Sequence, residues 1–224
     1  VEDRVLATLL SLPAFRWATL MVAAVGGRSE RDLVTALQAG DQRAWRDTLE
    51  TYGPMLIGYA TRLLKRRDAA EEAVQEAIVS VHSGMHRFEG RCSVKSWLFR
   101  AVHNKAIDEL RRNKRYVTPS DNEDGRWEDR FDTTGAWTDP PRPWVGSMGA
   151  QIDARRVLEA VQQTLPSLPH NHQQVLLMKE VHGLSSDEIC DILGISSANL
   201  RVSLHRARRA LRQAVEPLLE ERAP

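Results

Sequence analysis

The chain has 224 residues, with 31 Lys and Arg against 30 Asp and Glu, a net charge of +1, 42% hydrophobic and 27% charged residues. That composition excludes a disordered chain, and a near-zero total makes the distribution of charge more informative than its sum. Cys92 and Cys190 lie far apart, which excludes a zinc spacing or a disulfide framework and suits a reducing cytoplasm.

Leu6 to Val25 is mostly apolar, but Pro13 and Arg16 interrupt it, and Glu2 and Asp3 give the wrong charge bias for a secretory signal. Residues 1–29 therefore read first as an amphipathic or poorly ordered arm. A helix touching a partner or a membrane, a transmembrane span and a start placed too far upstream are the alternatives. From Arg31 the apolar spacing is helical. Leu33 and Leu37 belong to one helix, and Trp45, Leu49 and Tyr52 to the next, with a break at Gly40-Asp41. Gly53-Pro54 predicts another boundary, after which Met55 to Leu64 continues as a helix. Asp68 is expected to cap a long helix with acidic first turns, as the helix dipole prefers. After a loop around Gly90, Ser93 caps a further helix. Residues 95–115 carry seven basic residues against Asp108 and Glu109, with Phe88, Trp97 and Phe99 in or beside them. Aromatics with cations form a surface for single-stranded nucleic acid. Trp97 reads as core, because it shares a face with Ala101, and Phe88 reads as the stacking residue.

Tyr116 to about Ala150 differs in kind, with four prolines, seven acids and three arginines. It reads as a flexible acidic linker, and Trp127, Trp137 and Trp144 suggest that it docks on something. Beyond Asp153 come a helix from Arg156 to Leu165, a break at Pro166–Pro169 and a helix from Asn171 to His182, ended by Gly183. Ser185 and Glu188 make an S-x-x-E capping box for a short helix with Ile189, Ile192 and Leu193 on its apolar face; Cys190 reads as a small buried residue. Gly194 suits a left-handed turn, and Ser196 caps a second helix whose Leu200, Leu204, Ala207 and Leu211 share one inward face. Residues 196–212 hold five arginines and no acid. The pattern is that of a helix-turn-helix presenting a cationic helix to a major groove; the bland alternative is a solvated charged face. The fold class is thus all-α, two small helical domains joined by the acidic linker, the second a helix-turn-helix. The expected divisions are 1–29, 30–115, 116–151, 152–216 and a fraying tail, 217–224.

Three motifs make the chain resemble the extracytoplasmic function (ECF) sigma factors of bacterial RNA polymerase. Asp68-Ala69-Ala70-Glu71-Glu72-Ala73-Val74-Gln75-Glu76 is similar to the family's acidic docking helix. Arg87-Phe88-Glu89-Gly90, followed by Ser96-Trp97-Leu98-Phe99-Arg100 and Asn104, is similar to its promoter-melting stretch. Glu188-Ile189-Cys190-Asp191-Ile192-Leu193-Gly194-Ile195, followed by Leu204-His205-Arg206-Ala207-Arg208, is similar to its helix-turn-helix signature. The resemblance spans about Arg31 to Ala214 and implies a cytoplasmic promoter-specificity subunit. Asp68, Glu71, Glu72, Gln75 and Glu76 would dock on the clamp helices of the largest polymerase subunit. Gly84, Phe88, Arg91, Lys95, Arg100, Asn104, Asp108, Arg111 and Arg112 would melt and hold the −10 element. One base would be extruded into a pocket of Gly84, Phe88, Asn104 and Asp108. Ser197, Asn199, Arg201, Val202, Ser203, His205, Arg206 and Arg209 would read the −35 element. The linker would thread near the active-site cleft, where its acids could mimic RNA.

Two departures stand out. His82 replaces a frequent Trp. Val202-Ser203 stands where many members have Ser-Arg, and since Arg can contact guanine while Val can only touch a thymine methyl, the −35 preference is expected to shift. The expected partners are core RNA polymerase, promoter DNA and an anti-sigma factor, with no small-molecule substrate, cofactor, metal or catalysis. A stand-alone helix-turn-helix regulator with an N-terminal sensory or dimerisation domain is the competing reading. It does not explain an acidic capped helix paired with a basic aromatic one.

Overall fold

A computed structural model describes residues 25–113 and 154–220; the linker, most of the N-terminal arm and residues 221–224 lie outside them. Among the described residues every regular element is helical. They fall into two compact units, one of residues 25–113 with Leu184–Gly194, the other of residues 154–183 and 195–220.

The first unit opens with a 3-10 turn, Val25–Gly27, whose Val25 is buried. Arg28 then bridges to Asp47 at 2.8 Å and Asp41 at 3.6 Å, so the last residues of the expected arm belong to the folded unit. Helix α1 (Glu30–Gln38) starts at Ser29, whose hydroxyl accepts from the Asp32 N–H, and buries Leu33 and Leu37. Helix α2 (Gln42–Leu64) starts at Asp41, whose carboxylate accepts from the Arg43 and Ala44 N–H groups. Those bonds, led by Ala44, hold the Asp41 carboxyl below its usual range.

The boundary expected at Gly53-Pro54 does not exist: α2 runs through it. Trp45, Thr48, Tyr52, Met55, Leu56, Tyr59 and Leu63 are buried on both sides of Pro54, while Pro54 itself is exposed. Burial of that continuous stripe outweighs the lost hydrogen bond and the proline's clash. Lys65, in the left-handed region at φ 60°, ends α2. Helix α3 (Arg67–Gly84) begins two residues earlier than expected, with Arg66 at the cap position instead of Asp68. Asp68 is therefore inside the first turn, paired with Arg66, where its charge still faces the positive end of the helix. A 3-10 turn, Met85–Arg87, follows. Helix α4 (Val94–Arg112) starts at Ser93, which caps Ser96 N–H as expected.

Helices α2, α3 and α4 pack on one another, and α1 packs on α2. At their centre Tyr59 meets the Phe99 ring edge-on at 5.6 Å and its hydroxyl bonds His103 Nδ1 at 2.8 Å. The pair places a hydrogen bond where an unpartnered hydroxyl would be costly. Helix α7 (Ser186–Leu193), within this unit, packs on α4.

The second unit holds α5 (Ala154–Thr164), a 3-10 turn at Leu165–Ser167, α6 (His170–Leu176) with a π turn at Leu177–Val181, and α8 (Ser197–Glu220). Helix α8 packs on α5 and α6. Leu176, Ala207 and Leu211 form a core with Val161, Leu165 and Leu168 against it. The tail expected to fray at Pro217 is instead helical to Glu220, because Val215 is buried and extends the apolar stripe past Leu211. No helix among the described residues is long and apolar enough to cross a membrane.

Candidate functional site

At about 100° per residue, α3 divides cleanly. Ala70, Ala73, Val74, Ala77 and Val81 face inward and are buried. Asp68, Glu71, Glu72, Gln75 and Glu76 share the opposite face, together with Val79. That valine is 65% exposed, and it is the one large hydrophobic residue so exposed among the described residues. The four acids and one amide proposed from sequence are thus gathered on one surface, with Glu71 paired to Arg67 and Glu76 to Lys105. Sequence reasoning missed Val79, although an apolar residue on a charged helical face was a visible signal. It also missed the groove beside it, of about 670 Å³, lined by Trp45, Leu49, Ile78, Val79 and His82. His82 tilts against the Trp45 ring at 4.8 Å.

On α4 the inward residues are Leu98, Phe99, Val102, Ala106 and Leu110. The exposed stripe holds Arg100, Asn104, Asp108 and Arg111. Trp97 stands at the head of this stripe and is only half-buried, which corrects its reading as a core residue: its face lies between those of Arg100 and Ala101, away from Phe99. The Trp97 ring lies 4.7 Å from that of Phe88, tilted by 31°, and a Cβ at Gly84 would meet it at 3.7 Å. Gly84, Phe88 and Trp97 therefore form one aromatic step beside the polar stripe. Asp108 pairs with Arg111 at 3.7 Å, Arg112 with Glu109 at 2.7 Å, and Arg91 in the loop with Glu89 at 3.0 Å.

Lys95 does not join this group. It projects from the first turn of α4 near α7, where burial pulls its pKa down against the opposing pull of Glu188. Glu188 ties two helix starts together. One carboxylate oxygen accepts from the Ser93 hydroxyl at 2.7 Å and the other from the Ser185 N–H at 2.9 Å. The Ser185 hydroxyl accepts from the Glu188 N–H and completes the predicted capping box. Burial raises the Glu188 pKa, but bonds from the Ser185 backbone and the Ser93 and Ser185 hydroxyls, with Lys95, outweigh it and hold the carboxyl below its usual range. Helix α7 buries Ile189 and Ile192 as expected, while Leu193 and Cys190 are half-buried. Gly194 ends it at φ 66°, a conformation that a Cβ would strain.

Ser196 caps α8 through the Asn199 N–H at 3.2 Å. Leu200, Leu204, Ala207 and Leu211 are buried, as their spacing predicted. Ser197, Arg201, Val202, His205, Arg206 and Arg209 lie on the remaining surface, with Ser197, Arg201 and Arg209 exposed and the others half-buried. Ser203 does not belong there. It is 1% exposed and donates to Asn199 Oδ1 at 3.1 Å. Its angle around the helix places it on the buried side of Asn199, so its hydroxyl orients Asn199 instead of presenting itself to a ligand. Arg208 is likewise engaged, with Glu180. No group of side chains that could hold a metal ion occurs among the described residues.

Loss of the Glu188 carboxylate removes half of a capping box and the Ser93 bond. Glu188→Ala is expected to cost about 1 kcal/mol at neutral pH. Because the folded-state pKa is depressed, this stability is present above the ordinary carboxylate range and is lost as pH falls through the folded value. Urea unfolding at neutral and acid pH checks it; a difference between the two proteins that stays unchanged in acid would assign the effect to packing.

Residues 48–116 match Sigma-70 region 2 and residues 158–211 match Sigma-70, region 4, together more than half of the chain. The chain is 28% identical over 194 residues to the RNA polymerase sigma-H factor of Pseudomonas aeruginosa, covering 86% of this chain and 96% of that one. It is 27% identical over 191 residues to the ECF RNA polymerase sigma-E factor of Escherichia coli K12, covering 85% and 96%. A solved structure of CnrH in complex with the cytosolic domain of CnrY is similar in fold, with a TM-score of 0.53 at 22% identity over 87% of this chain and 99% of that one. Both region matches, in this order along the chain, accompany the exposed acidic, aromatic and cationic helix faces that the sequence motifs pointed to. The chain belongs to the ECF group of sigma-70 factors, the promoter-specificity subunits of RNA polymerase.

Proposed function

We propose that the exposed helix faces divide the work of promoter recognition, with residues 30–115 docking on core polymerase and opening the −10 element and residues 152–216 reading the −35 element. The observation that carries this is the aromatic step of Phe88 and Trp97 at the head of the exposed Arg100–Asn104–Asp108–Arg111 stripe. Unpaired bases stack on aromatic rings while cations neutralise phosphates, and a base extruded beside Gly84 and Phe88 would reach polar partners at Asn104 and Asp108. Arg91 and Arg112 flank this surface. Lys95, beside Glu188, is given no direct role.

Docking is assigned to Asp68, Glu71, Glu72, Gln75 and Glu76 of α3, with Val79 as the residue that a partner would desolvate. A buried apolar centre inside a charged rim is the usual anatomy of such a contact. On α8, Ser197, Arg201, Val202, His205, Arg206 and Arg209 face the duplex, Asn199 borders them and Ser203 supports Asn199. An anti-sigma factor completes the set of partners. The stand-alone regulator is not favoured, since the N-terminal half matches Sigma-70 region 2.

Three experiments test this. Phe88→Ala is expected to impair promoter opening more than closed-complex formation; permanganate footprints of normal intensity would count against it. Arg201→Ala should weaken −35 recognition by about 1–3 kcal/mol if the contact is to a base edge, with core binding intact, and an equal loss of both would contradict the assignment. Selection of promoters from a random pool should yield a −35 element altered at the position facing Val202. Recovery of the family's common element would sink that expectation.

A further inference from the structure

Gln38, the last residue of α1, lies outside both family matches and carries none of the motifs. Its side-chain nitrogen donates to the Phe88 carbonyl at 2.9 Å and lies 3.4 Å from the Met85 carbonyl. Facing two carbonyl oxygens, only the NH₂ end of the amide can satisfy the site. The Phe88 N–H also closes back on the Met85 carbonyl at 3.1 Å. Both ends of the turn that bears Phe88 are therefore tied to α1 by one side chain, across 50 residues of sequence. Helix α1 is itself anchored, by buried Leu33 and Leu37 and by Glu30, whose carboxylate accepts from the Val94 N–H at the start of α4 at 2.6 Å. The same small framework thus holds the loop carrying Phe88 and the helix carrying Trp97.

We propose that Gln38 is a positioning residue for base capture: it holds the Met85–Phe88 turn so that the Phe88 ring is set against Trp97 before the unpaired base arrives. It acts through the turn and touches no DNA. A loop already ordered has no ordering entropy to lose when the base docks, so preorganisation appears as tighter capture. The inference rests on the −10 reading above.

The test uses the full chain with core polymerase and fork-junction DNA carrying a selected promoter. Each unpaired −10 base is replaced in turn by an abasic site. Gln38→Met keeps the length and loses the donors; Gln38→Glu sets a carboxylate against two carbonyls. On the intact fork Gln38→Met should bind roughly three- to tenfold more weakly, the loss of one or two exposed hydrogen bonds, and Gln38→Glu more weakly still. On the abasic fork that removes the captured base, all three proteins should bind alike, even though the missing hydrogen bonds lower the melting temperatures of the free variants by a few degrees at most. Wild-type binding by both variants on the intact fork, or equal losses on intact and abasic forks, would overturn the proposal. If the wild-type protein itself binds intact and every abasic fork alike, base capture at this surface falls and this inference with it, an outcome distinct from the other two.

Discussion

The rotation of α4 about its own axis is the constraint on which the rest of the first unit depends. Tyr59 sets it, by meeting Phe99 edge-on and bonding His103 from the centre of α2. Phe99 and His103 are one turn apart, so a single partner residue determines which side of α4 faces inward. With those two buried, the exposed stripe of Arg100, Asn104, Asp108 and Arg111 has no freedom in where it points. The chemistry on the outside of the helix is thus oriented by a hydrogen bond and a ring contact on the inside.

The aromatic step depends on the same framework but on different forces. Trp97 is placed by the rotation of α4, whereas Phe88, itself half-buried, directly follows a short 3-10 turn. The turn is held by backbone closure, by the Gln38 amide and by buried Met85. Isolated loops of this size seldom keep a ring in one place; this one is stapled at both ends to α1. The groove next to α3 is complementary in character, with Val79 and Leu49 offering apolar surface at the margin of an acidic face. One unit therefore offers a charged, partly apolar surface on α3 and a cationic, aromatic one on α4.

Much of this was legible in the residues because it is local. Ser93, Ser185 and Ser196 are caps read from residue type and the helix that follows; Ser29 and Asp41 carry the same signal, which sequence reasoning missed. The inward face of α8 follows from the spacing of Leu200, Leu204, Ala207 and Leu211, and the solvent face of α3 from its acids. What misled was also local. Gly53-Pro54 has the composition of a boundary, yet buried residues on both sides carry the helix through it. Trp97 has the composition of core, and its angle around α4 puts it at the edge. Ser203 lies in a polar run, and one more step around α8 takes it under Asn199.

The sequence by itself determined most of the helices and caps and the faces on which acids, cations and aromatics collect, because these depend on residues within a few positions of one another. The tertiary structure alone decided which of those faces stay open and what braces them. It brought Gln38 to Phe88, Tyr59 to His103 and Ser93 to Glu188, and it set Lys95 near Glu188. Such pairings lie tens of residues apart, and their partners are chosen by how helices pack, which no local spacing encodes.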